Sequence, residues 1–220
     1  MRRLAPSIWD PVATDDLSSA IASRVGTQAV VKGPADDMAQ PPESSNENQR
    51  DRNALKIPSL IADLGNESAN IRERARHSLV SMGTAAVKPL LEALTDSREY
   101  GRAQAAKALG ETGDPSTAPA LVKALEDDKY DVRWLAARAV VALGRNGLPA
   151  LLQALMERPD STWLREGAHH ILHDERYKPW HGQLAPIMEA LEGYDAADAL
   201  PGAVEKVLRA LAHPSSGTKK

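Results

Sequence analysis

Between Glu166 and Gly182 the chain reads EGAHHILHDERYKPWHG, which holds His169, His170, His173 and His181, four of its six histidines, beside Tyr177 and Trp180. Imidazole together with carboxylate is an ordinary ligand set for zinc or iron. Glu166, His169 and His173 stand at helical spacing, so they are the candidate ligands if a metal binds. The plainer reading has these histidines capping a helix end or pairing with Asp174 and Glu175. Two further constellations carry charge. Arg72, Arg102, Arg133 and Arg165 recur at intervals of 30, 31 and 32 residues, each followed three positions on by Ala75, Ala105, Ala136 or Ala168. Such a ladder could bind anions. A ladder spaced like a structural repeat is better explained by the repeat, with each guanidinium bonding a carbonyl or carboxylate of a neighbouring hairpin and each alanine filling a packing position. Five residues after each arginine stand His77, Lys107, Arg138 and His170, and one residue after it Glu73, Ala103, Trp134 and Glu166. On helices these positions neighbour each other, giving a basic row with Trp134 beside Arg138 as an aromatic anchor for a partner.

Composition narrows the kinds of secondary structure that can carry these residues. The 220 residues are 42% apolar, yet Phe is absent and aromatics make up 4%. Alanine and leucine must therefore form the core, which suits closely stacked helices better than a sheet rich in β-branched and aromatic residues. The absence of Cys excludes disulfides, thiolate nucleophiles and zinc held by sulfur. A net charge of -3 with a pI near 6.1 supplies no global field to attract nucleic acid. No signal-peptide pattern follows Arg2 and Arg3, and no eighteen apolar residues run together, so a cytoplasmic protein with no membrane contact is expected.

The thirty-residue rhythm recurs on other markers. Pro58, Pro89, Pro119, Pro149 and Pro186 stand in register near the start of apolar segments ending in leucine, where a first-turn proline presets φ and sacrifices no helical hydrogen bond. Gly83, Gly113 and Gly144 each fall eleven residues after an arginine, where a helix end needs a left-handed residue. Asp131 precedes VRWLAARAVVALG as a candidate N-cap. Shared periods of this length describe stacked helical hairpins. The expected fold is all-α: an α-solenoid of about five hairpins over 53–213, roughly Ile57–Met82, Thr84–Leu109, Ser116–Leu143, Leu148–Asp174 and Gly182–Ala212. Residues 1–52 are expected to hold a short helix, capped by Thr14 with Leu17, Ile21 and Val25 on one face, followed by a disordered linker rich in Pro, Ser and Asn; residues 214–220 read as a disordered tail.

PALVKALEDDKY followed by DVRWLAARAVVALG resembles a HEAT repeat of the bacterial subtype first associated with phycobilisome lyases. The likeness spans 57–212, is closest through Leu155, and loosens in the fifth unit, where Pro201 stands at the arginine position. It implies an α-solenoid whose second helices line a concave surface that holds another macromolecule, and no particular chemistry. HEAT folds include a di-iron hydroxylase with His-Glu pairs at the start of second helices. Here those positions read Glu73-Arg74, Ala103-Gln104, Trp134-Leu135 and Glu166-Gly167, and the chain contains no His-Glu pair, which excludes that activity. Walker, GxSxG and HExxH motifs are absent as well. The expected function is a non-catalytic scaffold or adaptor without a cofactor. It would bind a protein bearing an acidic patch through His77, Lys107, Trp134, Arg138 and His170. The alternatives are a metal-dependent or tetrapyrrole-lyase-like enzyme centred on 166–181, and nucleic-acid binding through the short basic row.

Overall fold

A computed structural model of the chain describes residues 55–212; the expected N-terminal helix, linker and C-terminal tail lie outside the described residues. The described part is built of helices, which we number α1 (55–64), α2 (Ala69–Ser81), α3 (Thr84–Ala93), α4 (Glu99–Thr112), α5 (Ala118–Lys123), α6 (Tyr130–Leu143), α7 (Leu148–Glu157), α8 (Thr162–Leu172), α9 (His181–Glu192) and α10 (Ala196–Ala212). Successive pairs form five hairpins. The second helices α2, α4, α6 and α8 pack one against the next in a layer, and first helices α5 and α7 pack likewise.

Small residues set the spacing of the second-helix layer. Ala75, Ala105, Ala136 and Ala168, the alanines of the repeat, are all buried. Between α4 and α6 the backbones touch: a Cβ on Gly110 would lie 2.7 Å from Ala139 Cα. Leu64, Leu79, Leu90, Leu109, Leu121 and Leu125 are fully buried and fill the space between layers. Alanine lets the helices approach and leucine fills what remains, so a core without phenylalanine closes.

The repeat arginines hold the turn of their own hairpin, which corrects the expectation that they bond a neighbour. Arg72 Nη1 donates to the Asn66 carbonyl at 2.8 Å, Arg102 to Asp96 at 3.0 Å, Arg133 to Asp127 at 2.9 Å and Arg165 to Pro159 at 3.0 Å. Each acceptor lies six residues before its arginine. In the first three hairpins that same residue is Asn or Asp, and its side chain accepts the backbone N–H two residues on: Ser68, Arg98 and Lys129. This Asx turn shapes the loop and the arginine ties it to the helix that follows. Arg102 alone among the four adds the expected bond to a carboxylate of the next hairpin.

The helix punctuation also differs in detail. Pro119 and Pro149 do stand in the first turn of α5 and α7, but Pro89 and Pro186 lie inside α3 and α9. For α3 the reason is where helix geometry begins; α9 follows a 3₁₀ segment as α5 and α7 do, but starts at His181, well ahead of Pro186. A 3₁₀ turn precedes α5 and α7 (Pro115–Thr117 and Gly144–Gly147), whereas α3 starts at Thr84, directly after Gly83. Gly83, Gly113 and Gly144 all have positive φ (59°, 68° and 55°), as expected. Gly113 is left-handed helical; Gly83 and Gly144, with ψ of -133° and -134°, adopt a region that only glycine enters readily. Asp131 is not the N-cap of α6. Lys129 holds that place, and Asp131 sits in the first turn, where its charge suits the helix dipole.

The fifth hairpin is turned over. Continuing the array would set α9 on α7 and α10 on α8; the main contacts are instead α9 on α8 and α10 on α7. The connection from α8 is a 3₁₀ segment, Glu175–Trp180, that drives Tyr177 into the core. Its hydroxyl donates to the Gly144 carbonyl at 2.8 Å. Burial pushes the phenol well above its ordinary range, so the group stays a protonated donor. Residues 130–157 are apolar and long enough to cross a membrane by composition, but they are two helices broken at Gly144 and mostly buried in the stack.

Candidate functional site

The second-helix layer presents the expected basic row as follows. His77, Lys107 and Arg138 are exposed on α2, α4 and α6, and His170 is half-buried on α8. Packed helices lie about 8–10 Å apart, which sets the stride of the row. Among the described residues, Lys107 and Arg138 have no ion-pair partner. His77 accepts at Nε2 from Arg76 Nη2 at 3.0 Å, and Arg76, buried on α2, is also paired with Glu111 of α4. His77 is thus anchored from beneath. One residue after each repeat arginine the surface is uneven: Glu73 and Glu166 are exposed, Trp134 is 39% exposed, and Ala103 is buried in the layer where α4 and α6 close up.

Trp134 does more than stand beside Arg138. Its ring packs on His170 of the next hairpin at 4.5 Å and stacks with Tyr130 at 6.5 Å. Tyr100, Tyr130, Trp134 and Trp163 are all exposed, and they make up half of the four tryptophans and four tyrosines in the chain. Two carry a repeat arginine from the preceding hairpin. The Arg72 guanidinium lies 4.1 Å from the Tyr100 ring centre, and that of Arg133 lies 4.7 Å from Trp163. Tyr100 and Trp163 each stand two residues before an arginine. That offset was legible in the sequence, as was the Asn or Asp six before Arg72, Arg102 and Arg133; both signals lay outside the positions after the arginine.

Arg102 replaces the aromatic contact with acid. Its guanidinium bonds Asp127 at 2.7 and 2.9 Å and Asp128 at 2.9 Å. Burial alone would raise the Asp127 carboxyl, but the Arg102 bond and the Lys129 N–H hold it below the usual carboxylate value. The same bond raises Arg102 further. Asp96, bonded by the Arg98 side chain, is lowered too.

The histidine-rich segment divides into separate roles. His170 belongs to the Trp134 stack. His181 Nε2 donates to the Leu172 carbonyl at 2.9 Å, tying the start of α9 to the end of α8. His173 stands at the C-cap of α8, where its Nδ1 donates to the His169 carbonyl at 2.8 Å, as the capping reading expects. Its carboxylate neighbour is neither Asp174 nor Glu175 but Glu192, whose Oε1 lies 3.4 Å from Nε2. The His169 and His173 rings stack at 4.1 Å. Ligand atoms of His169, His173 and Glu192 lie within 4.8 Å of one another, and Glu166 is not among them. Sequence spacing proposed Glu166 because it assumed a single helix. Glu192 is the last residue of α9 and arrives through the overturned fifth hairpin.

Comparison with known proteins agrees with this architecture. Residues 87–172 match the family described as HEAT repeats. The same chain is 37% identical over 89 residues to the phycocyanobilin lyase subunit beta of Thermosynechococcus vestitus, a match covering 40% of this chain and 41% of that protein. The chain therefore spans about two fifths of the length of the curated relative it matches. The stacked hairpins and the family match show a helical repeat array similar to HEAT repeats over residues 87–172. The match contains Lys107, Trp134, Arg138 and His170, and ends one residue before His173.

Proposed function

We propose that the protein is a non-catalytic scaffold or adaptor that holds a protein partner with an acidic patch on its second-helix layer. The observation that carries this reading is Trp134: a large ring 39% exposed, fixed between Tyr130 and His170, with Arg138 exposed one turn along the same helix. A ring already immobilised loses little entropy on binding, which is the property of an interface anchor. Lys107 and Arg138 steer and orient an acidic partner, and His77 and His170 extend the row on either side. Similarity to a lyase subunit fits a role in which the repeat array engages another protein. That role is assigned here to the array alone, without the relative's chemistry.

The test is an affinity pull-down from the native host with the wild type, the pair Lys107→Glu with Arg138→Glu, and Trp134→Ala. All three positions are surface-exposed, so circular dichroism should report unchanged helix content. The expected outcome is a binder recovered by the wild type, weakened by raised salt, and lost from both variants. Equal recovery by a folded charge-reversed protein removes the row as the contact surface.

A further inference from the structure

We propose that His169, His173 and Glu192 form a zinc site that clasps the overturned fifth hairpin to the fourth. Two imidazoles and one carboxylate are a known three-ligand zinc set, leaving one position for water. Tetrahedral ligands about 2.0–2.1 Å from zinc stand roughly 3.3 Å apart, and His173 Nε2 and Glu192 Oε1 already lie 3.4 Å apart. The remaining atoms of the set lie within 4.8 Å of one another on exposed side chains, whose rotamers can close that gap.

The tautomer is arranged for metal. In the neutral imidazole, Nδ1–H of His173 donates to the His169 carbonyl, which leaves the lone pair on Nε2, the nitrogen beside Glu192. A backbone carbonyl on the second nitrogen is the usual device that orients a ligating imidazole and raises its basicity. The His169 imidazole makes no hydrogen bond among the described residues, and it is stacked on the His173 ring. The other two histidines of the segment are committed elsewhere, His170 to Trp134 and His181 to the Leu172 carbonyl. The ligands come from two hairpins: His169 and His173 from the end of α8, Glu192 from the end of α9. A metal there joins the regular array to its inverted terminal unit, and its binding free energy adds to the stability of that junction.

The experiment uses the full chain without a histidine tag, stripped with chelator, and titrated with Zn²⁺ by calorimetry alongside thermal melts. One zinc per chain is expected, with a rise in Tm that grows with zinc concentration. His173→Ala and Glu192→Gln should each weaken binding by at least about tenfold, the size of effect seen on losing even an outer contact of a metal site. Glu166→Gln should bind as the wild type does. Absence of saturable binding overturns the proposal. So does wild-type affinity in Glu192→Gln, because that result assigns zinc to the helical histidine pair alone and removes the clasp. Affinity lost in Glu166→Gln while Glu192→Gln is unaffected also overturns it.

Discussion

The junction between the second and third hairpins and the junction between the fourth and fifth are held by opposite means. At the first, side chains are all but removed: Gly110 of α4 lies against the Ala139 backbone of α6, and one ionic bridge from Arg102 to Asp127 and Asp128 closes the edge. At the second, bulk is added. Tyr177 is buried, Trp180 packs on it at a ring separation of 5.8 Å, and histidines line the surface. Small residues allow each hairpin to repeat the pose of the one before it, since close backbone contact tolerates one geometry. Large residues in a long connection allow a different pose, and the array ends in a hairpin with its helices exchanged. The repeat rhythm is lost where the chain stops using alanine and glycine to space its helices.

The sharpest way to break that contrast is at Tyr177. Replacing it with alanine should remove about 3–5 kcal/mol, the range for deleting a buried aromatic ring, and should release the fifth hairpin first. Tyr177→Phe separates packing from the hydroxyl: it leaves the Gly144 carbonyl without its donor at 2.8 Å and should remove about 1–2 kcal/mol. Urea denaturation followed by helical ellipticity measures both. Hydrogen exchange should show early loss of protection in α9 and α10 with α4 and α6 unaffected. Uniform loss across the array would mean that the two junctions unfold as one unit.

The regular junction has the mirror-image weakness. Gly110→Val puts a branched side chain where even a Cβ would meet Ala139 Cα at 2.7 Å. Neither backbone can retreat without parting α4 from α6, so a loss toward the upper end of about 1–3 kcal/mol is expected. The denaturation midpoint checks it. An unchanged midpoint would show that the layer has slack and that small residues do not set its spacing.

Much of this architecture was legible because period and packing share a cause. A helix in a repeat array meets the same neighbours each time, so Ala75, Ala105, Ala136 and Ala168 had to recur, and all are buried. The arginines were legible as structural but not in their partners: a guanidinium on a flexible stem reaches back six residues as easily as across to a neighbour. Glu192 was hidden for a different reason. It meets His173 through a hairpin that departs from the repeat, and periodicity carries no information once the period ends. Trp134 was readable as exposed, whereas its seat on His170 depended on how far α6 and α8 stand apart.

The smallest expected effect tests the ionic edge of the regular junction. Asp127→Asn keeps the Asx acceptor for Lys129 but discharges the group that meets Arg102, and should remove about 1.5 kcal/mol at neutral pH. The sign of its pH dependence follows from the direction of the shift. The folded carboxyl lies below its ordinary value, so its contribution is present above that value, near pH 4, and disappears as the pH falls through the folded one. Wild type and Asp127→Asn should therefore differ at pH 7 and converge in more acidic solution, while Asp96, lowered in the same sense, weakens both proteins together. Urea midpoints for the two proteins at pH 7 and pH 3 give the comparison. A gap that does not narrow at all between pH 7 and pH 3 would assign the stabilisation to hydrogen-bond geometry that asparagine cannot reproduce, and the edge would then be held by shape, as the Gly110 seam is.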